Sequence, residues 1–305
     1  MTELLIVGTG AMALLYGSKL AGAGVKVSFL GSWKEGISAL KEKGIRVAGP
    51  EGERVYPARV FSDPAEIPQI QLALILVKSW QTERAAAQLA QVLSPEGLAL
   101  TLQNGLGNLE ILSDILGVDR VAQGVTTSGA TLLEPGLIRM GGEGLISIQE
   151  HPRLPALLEL FQRAGLSVQQ LPDLTSLVWG KLVINVAINP VTALLGVRNG
   201  LLLESNSARQ VMGQAAGEAA EVARAMGIEL NFSDPLQAAE AVAEATAENQ
   251  SSMLQDINRG APTEIDVLCG AVARLGREFQ VETPTNQLLW NLVKARAEFT
   301  GIKNL

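Results

Sequence analysis

Leu4, Leu5, Ile6 and Val7 form an apolar run that stops at Gly8-Thr9-Gly10 and continues into Ala11-Met12-Ala13. No other segment restricts the fold as much. A buried strand must hand over to a helix packed directly on it. The first glycine makes a tight turn, the second lets another group approach the backbone, and Ala13 keeps the helix close to the strand. The free N–H groups and dipole of such a helix start favour an anion. The turn from Gly8 to Met12 is therefore expected to cradle a dinucleotide pyrophosphate. The plainer alternative is a glycine turn that packs strand on helix and binds nothing. The strand–turn–helix context favours the ligand.

Val25 to Leu30 alternates as a strand does, and Leu72 to Val77 and Leu98 to Leu102 are apolar runs suited to a sheet covered on both faces. A helical stretch from Thr82 to Leu93 lies between the last two. Strand, helix and strand in repetition predict a parallel sheet. The short segments Val121 to Ala130, Leu137 to Met140 and Leu145 to Gln149 are expected to extend it. A helix over 156–164 and a strand over 166–171 close this domain.

After the second strand an Asp or Glu would hold the ribose 2′-hydroxyl of NAD. The chain instead reads Gly31-Ser32-Trp33-Lys34. A 2′-phosphate is tolerated there, with Ser32 and Lys34 as contacts, so NADP(H) is the expected cofactor. Lys34 as a mere surface lysine is the alternative. Lys78 closes one strand and Gln103-Asn104-Gly105 the next, which points them toward the ligand crevice at the strand ends. The alternatives are a first solvated residue and a simple turn.

From Thr175 the pattern becomes helical. Ala208, Val211, Met212, Ala215, Ala219, Val222, Ala223 and Met226 recur at helical spacing, as do Ile265, Leu268, Val272 and Leu275. Gln237 to Ala247 is an Ala-rich helix. The expected architecture is an α/β Rossmann-type domain over 1–172 and a mostly α-helical domain over 173–305, divided near Pro172-Asp173.

Composition removes much chemistry. The 305 residues are 47% hydrophobic and 18% charged, a globular balance. One histidine (His151), one cysteine (Cys269) and two tyrosines exclude a His-based triad, a multi-histidine or Cys-rich metal site and an intrachain disulfide. The lone cysteine, expected in the core, suits a reducing cytoplasm. The N-terminus lacks the marks of a secretory signal, and no apolar run reaches the roughly 20 residues of a membrane span. A net charge of −7 without a basic run argues against nucleic acid. No metal, membrane or nucleic-acid partner is expected.

Lys181, Asn185 and Asn189 are spaced to share one helix face among apolar neighbours. A solvated stripe would carry Glu, Lys and Gln sooner than repeated Asn, a poor helix former. A buried lysine has a lowered pKa and becomes a usable proton donor. With histidine scarce, Lys181 is the leading acid for reducing a carbonyl, with Asn185 and Asn189 on substrate oxygens. Glu264 alone reads as a helix-start carboxylate, and Ser252 alone as an ordinary polar residue.

Together, the 8–13 turn, Lys78, Gln103 to Asn108, Trp179 to Gly200 and Ser251 to Asp266 resemble the ketopantoate reductase family over nearly the whole chain. The resemblance implies a 6-phosphogluconate-dehydrogenase-like fold and NADPH-dependent reduction of 2-dehydropantoate to (R)-pantoate, in pantothenate and coenzyme A biosynthesis. It implies Lys181 as general acid and Glu264 as the carboxylate that positions substrate and assists it. It implies Asn104, Asn185, Asn189, Asn199 and Ser252 as substrate contacts, with Lys78 and Asn104 beside the cofactor. Many members carry an Arg just after the second strand; here Gly31 stands there. Two rivals stay open: a β-hydroxyacid dehydrogenase acting on another ketoacid, and a non-catalytic NADP-binding regulatory protein. A homodimer is also left open.

Overall fold

The computed structural model describes residues 3–299. The described residues divide into two units: 3–103 with 107–174, and 104–106 with 175–299.

The first unit contains strands β1 (Glu3–Val7), β2 (Lys26–Leu30), β3 (Ile45–Gly49), β4 (Gly52–Tyr56), β5 (Arg59–Phe61), β6 (Ile70–Ile75), β7 (Leu93–Thr101), β8 (Val121–Thr126), β9 (Ala130–Glu134), β10 (Leu137–Met140), β11 (Leu145–Gln149) and β12 (Ser167–Leu171). Its helices are α1 (Ala11–Gly22), α2 (Lys34–Lys43), α3 (Thr82–Val92), α4 (Asn108–Leu116) and α5 (Pro155–Arg163). Eight strands form one sheet in the order β12-β11-β8-β7-β6-β1-β2-β5. The sheet is parallel except where β11 runs antiparallel to β8. β1 shows why it is covered on both sides. Leu4 and Ile6 join a core with α1 and α5, while Leu5 and Val7 join one with α3 and α4. Each such fully buried side chain contributes about 1.5–3 kcal/mol.

The expectation that the segments over 121–130, 137–140 and 145–149 extend this sheet holds for β8 and β11 but fails for β10, which pairs with β9, a strand the sequence pattern does not single out. These two form a second, four-stranded sheet, in the order β4-β3-β10-β9. The cause is a shared apolar face: Ile45, Val47 and Ile138 are buried in the core that includes α1. Arg46 ties the pairing by donating to the Glu134 carboxylate and the Pro135 carbonyl.

The second unit is helical: α6 (Thr175–Leu195), α7 (Asn206–Ala225), α8 (Pro235–Ala245), α9 (Ser252–Asn258), α10 (Cys269–Glu278) and α11 (Pro284–Phe299). α6 packs against α7, α8, α9 and α11 and is its central helix. At 21 residues it is long and apolar enough to cross a membrane by length and composition, yet two-thirds of its most apolar stretch is buried inside the protein. The expected helical run from Ile265 is corrected: 264–268 is a turn, and α10 starts at Cys269.

Candidate active site

In the first unit the glycine turn sits at the carboxyl end of β1, between β6 and β2. Gly8 has φ +129, and a Cβ there would lie 2.9 Å from the Leu76 carbonyl oxygen. Only glycine fits. Gly10 differs: a Cβ there would meet nothing within 4 Å. That open space above the backbone is where a ligand can approach. Gly10 is also the N-cap of α1 and gives it no side-chain cap, leaving first-turn N–H groups without a side-chain acceptor. The turn thus fits a pyrophosphate. Thr9 is buried, while Ala11 and Met12 are partly exposed on the first turn of α1.

Ser32 and Lys34 follow β2, both exposed, with Lys34 opening α2. Lys78 is half-buried just past β6. A buried polar chain fixes this corner. Gln103 Nε2 donates to the Val77 carbonyl at 3.0 Å and to Thr82 Oγ1 at 2.9 Å. Thr82 Oγ1 donates to Asn108 Oδ1 at 2.8 Å. The ends of β6 and β7 are therefore held in register beside the turn. The sequence points to Gln103 only as part of a strand end facing the crevice, and it gives no role to Arg84, which lies in the first turn of α3 and donates to Ser32 Oγ. An arginine on an exposed helix turn carries no signal that separates it from an ordinary surface residue.

The helical unit gathers the other expected residues. Lys181, Asn185 and Asn189 lie on α6 as their spacing predicts, with Trp179, Leu182, Val183, Val186 and Ala187 buried around them. Pro190 lacks the N–H that would pair with the Val186 carbonyl in a regular helix. Thr192 Oγ1 lies 2.6 Å from Ser251 Oγ, and Ser251 caps α9 by accepting from Leu254 N at 3.1 Å. This bond anchors the start of α9, and so Ser252, to α6. Asn199 is buried. Its Nδ2 donates to Thr246 Oγ1 at 2.9 Å, while among the described residues its Oδ1 has no partner.

Glu264 corrects the sequence reading. It precedes α10 by a full turn and is 6% exposed, so the reading of it alone as a helix-start cap does not hold. Its charge reaches Lys181. Burial pulls the Lys181 amine down from 10.5 to about 8, and the Glu264 charge opposes that pull. Residues 104–106 complete the group. Leu106 N donates to the Val267 carbonyl at 3.3 Å. A Cβ on Gly105 (φ +80) would lie 2.5 Å from Val267 Cγ2. Asn104 is thereby carried beside the 264–267 turn. Cys269 is buried, and burial pushes its thiol up, which makes it inert packing.

A glycine turn at the end of β1 of a mostly parallel sheet, with a separate helical unit after it, is the architecture of a dinucleotide-binding domain joined to a helical domain. D-mandelate dehydrogenase, solved with NADH and anilino(oxo)acetate, shares the fold with TM-score 0.92 at 24% identity, covering 99% of this chain and 100% of that one. The sequence narrows the class. The family described as "Ketopantoate reductase PanE/ApbA" matches residues 4–153, and "Ketopantoate reductase PanE/ApbA C terminal" matches 173–297. The 2-dehydropantoate 2-reductase of Halobacterium salinarum is 35% identical over 298 residues, covering 96% of this chain and 98% of that protein. A PanE/ApbA family ketopantoate reductase from Ralstonia eutropha is 30% identical, with TM-score 0.90 over 98% of this chain and 100% of that one. This chain belongs to the ketopantoate reductase family.

Proposed function

We propose that this enzyme reduces 2-dehydropantoate to (R)-pantoate with NADPH, in the cytoplasmic route to pantothenate and coenzyme A. The observation that carries the reading is Lys181, an amine lowered to about 8 with the Glu264 charge acting on it. At pH 7 about nine-tenths of such an amine is protonated, yet it gives up its proton far more readily than a solvated lysine.

The nicotinamide, when bound, supplies hydride to the keto carbon. Gly8 to Met12 hold the pyrophosphate, and Ser32, Lys34, Lys78 and Asn104 contact the rest of the cofactor. Lys181 stabilises the alkoxide that develops and gives it a proton. Glu264 keeps that amine charged and orients substrate. Asn185 and Asn189, one and two turns along the same face, hold substrate oxygens with Asn104 and Ser252. The unpartnered Asn199 Oδ1 suits a substrate hydroxyl, since a buried acceptor without a donor is costly. NADPH over NADH is supported by the lack of a carboxylate directly after β2.

The likeness to D-mandelate dehydrogenase favours a second reading, reduction of another 2-ketoacid with NADH. Oxidation of NADPH and NADH is followed with 2-dehydropantoate, phenylglyoxylate and pyruvate. The proposal expects the highest kcat/KM for NADPH with 2-dehydropantoate. It fails if phenylglyoxylate with NADH is preferred. Lys181→Ala should lower kcat about a hundred- to ten-thousand-fold while leaving NADPH affinity nearly intact.

A further inference from the structure

The 2′ position of the adenosine ribose lies past the second strand of a dinucleotide-binding unit. In this chain the residue directly after β2 is Gly31, which has no side chain to offer. A Cβ on Gly31 would lie 2.7 Å from Thr9 Cγ2, and Thr9 is itself buried in the glycine turn. Any group that recognises the 2′ substituent must come from elsewhere.

One does. Arg84, in the first turn of α3, donates from Nη2 to Ser32 Oγ, just past β2. The residues are 52 apart in the chain. α3 follows β6 and Ser32 follows β2, and these strands flank β1. The bond therefore spans the end of β1, where the glycine turn lies. Among the described residues Arg84 has no carboxylate partner. A guanidinium has five N–H donors in a planar fork matched to phosphate oxygens, and Ser32 engages one. The surroundings suit an adenosine phosphate. Trp33 packs over Gly36, where a Cβ would lie 2.3 Å from the ring, and it stays 36% exposed. Lys34 adds a second cation at the start of α2.

We propose that Arg84, steadied by Ser32, is the residue that distinguishes a 2′-phosphate from a 2′-hydroxyl in the bound dinucleotide. The inference rests on the NADPH reading above. Arg84 acts from the third helix of the unit and takes the place of a side chain that Gly31 cannot supply. Its guanidinium pairs with the phosphate through charge-assisted hydrogen bonds, and a hydroxyl in the same position gains almost nothing from it.

The test is equilibrium binding of NADPH and NADH to the wild-type protein, Arg84→Ala and Ser32→Ala, read by calorimetry. Arg84→Ala should weaken NADPH about 10- to 100-fold and shift NADH by less than about two-fold. Ser32→Ala should weaken NADPH by less than Arg84→Ala does. If the wild type prefers NADPH and Arg84→Ala keeps that preference, Arg84 is only a surface residue and the cofactor reading stands. Equal weakening of both dinucleotides also overturns the role. If the wild type has no preference for NADPH, the cofactor reading fails and this inference falls with it. Arg84 is exposed, so the variant should melt like the wild type.

Discussion

The Glu264 carboxylate acts on the Lys181 amine from a turn more than eighty residues further along the chain, opposing the burial that lowers the amine to about 8. The sign of this pairing sets the pH behaviour. Lys181 carries its proton below that value and loses it above, so kcat/KM should fall as pH rises through about 8. Glu264→Gln removes the charge that favours the protonated amine. Its profile should break at a lower pH than that of the wild type. A pH series of kcat/KM for both proteins checks this, and coincident descending limbs would break the electrostatic link between the two residues.

The same lowered amine has a consequence for stability. Its folded value lies below that of the unfolded chain, so the native state binds fewer protons between about pH 8 and 10.4. The charged form is therefore a burden at pH 7. That burden lifts as pH rises through the window. Lys181→Met should lose activity, and its stability relative to the wild type should fall by about 1–3 kcal/mol from pH 7 to pH 10, because only the wild type gains as the amine sheds its charge. The carboxylate left at 264 without its cation costs the variant stability at both pH values. Urea melts at pH 7 and pH 10 measure the difference, and one that does not change between them would contradict this account of the amine.

Gly8 and Gly10 should separate folding from binding. Alanine at Gly8 must adopt φ +129 and press on the Leu76 carbonyl, so Gly8→Ala should lose about 2–4 kcal/mol of stability. Alanine at Gly10 meets no protein atom within 4 Å. Gly10→Ala should melt like the wild type and bind dinucleotide at least about tenfold more weakly, because its methyl fills the space the pyrophosphate needs. Thermal melts paired with dinucleotide titrations distinguish the two. A Gly10→Ala protein with wild-type affinity would mean that no ligand uses the turn.

The parts legible in sequence are those where one local pattern has one structural outcome. Leu4 to Val7 alternate between two cores, so an uninterrupted apolar run reads as a strand buried on both faces. Lys181, Asn185 and Asn189 share a face because helical spacing alone puts them there. The second sheet was not legible. β4 is Gly-Glu-Arg-Val-Tyr and mostly exposed, and β10 pairs with β3 across some ninety residues, which no local pattern encodes. Glu264 taken alone reads as a helix-start cap for a related reason, and only the family resemblance singles it out. A carboxylate before an apolar helix looks like a cap, and only the packing of its turn beneath Leu106 shows that it is buried. Arg84 was missed because its partner Ser32 lies on another βα unit.

That packing yields a last expectation, for Gly105. Residues 104–106 leave the sheet unit at a left-handed glycine and bond to Val267. Alanine at 105 would place its methyl 2.5 Å from Val267 Cγ2 and 2.8 Å from the Val267 carbonyl. Backbone atoms cannot yield as a flexible side-chain end does, so the segment must lift from the 264–267 turn. Asn104 moves with it, and a displacement of about 1 Å in a positioning group can lower turnover about a hundredfold. Gly105→Ala should therefore lose kcat/KM for the ketoacid, while dinucleotide affinity falls only as far as Asn104 contributes to it. The glycine turn, Ser32 and Lys34 lie on other segments and remain in place. Steady-state kinetics beside a dinucleotide titration measure both effects, and an unchanged kcat/KM would show that the position of Asn104 does not matter to the reaction.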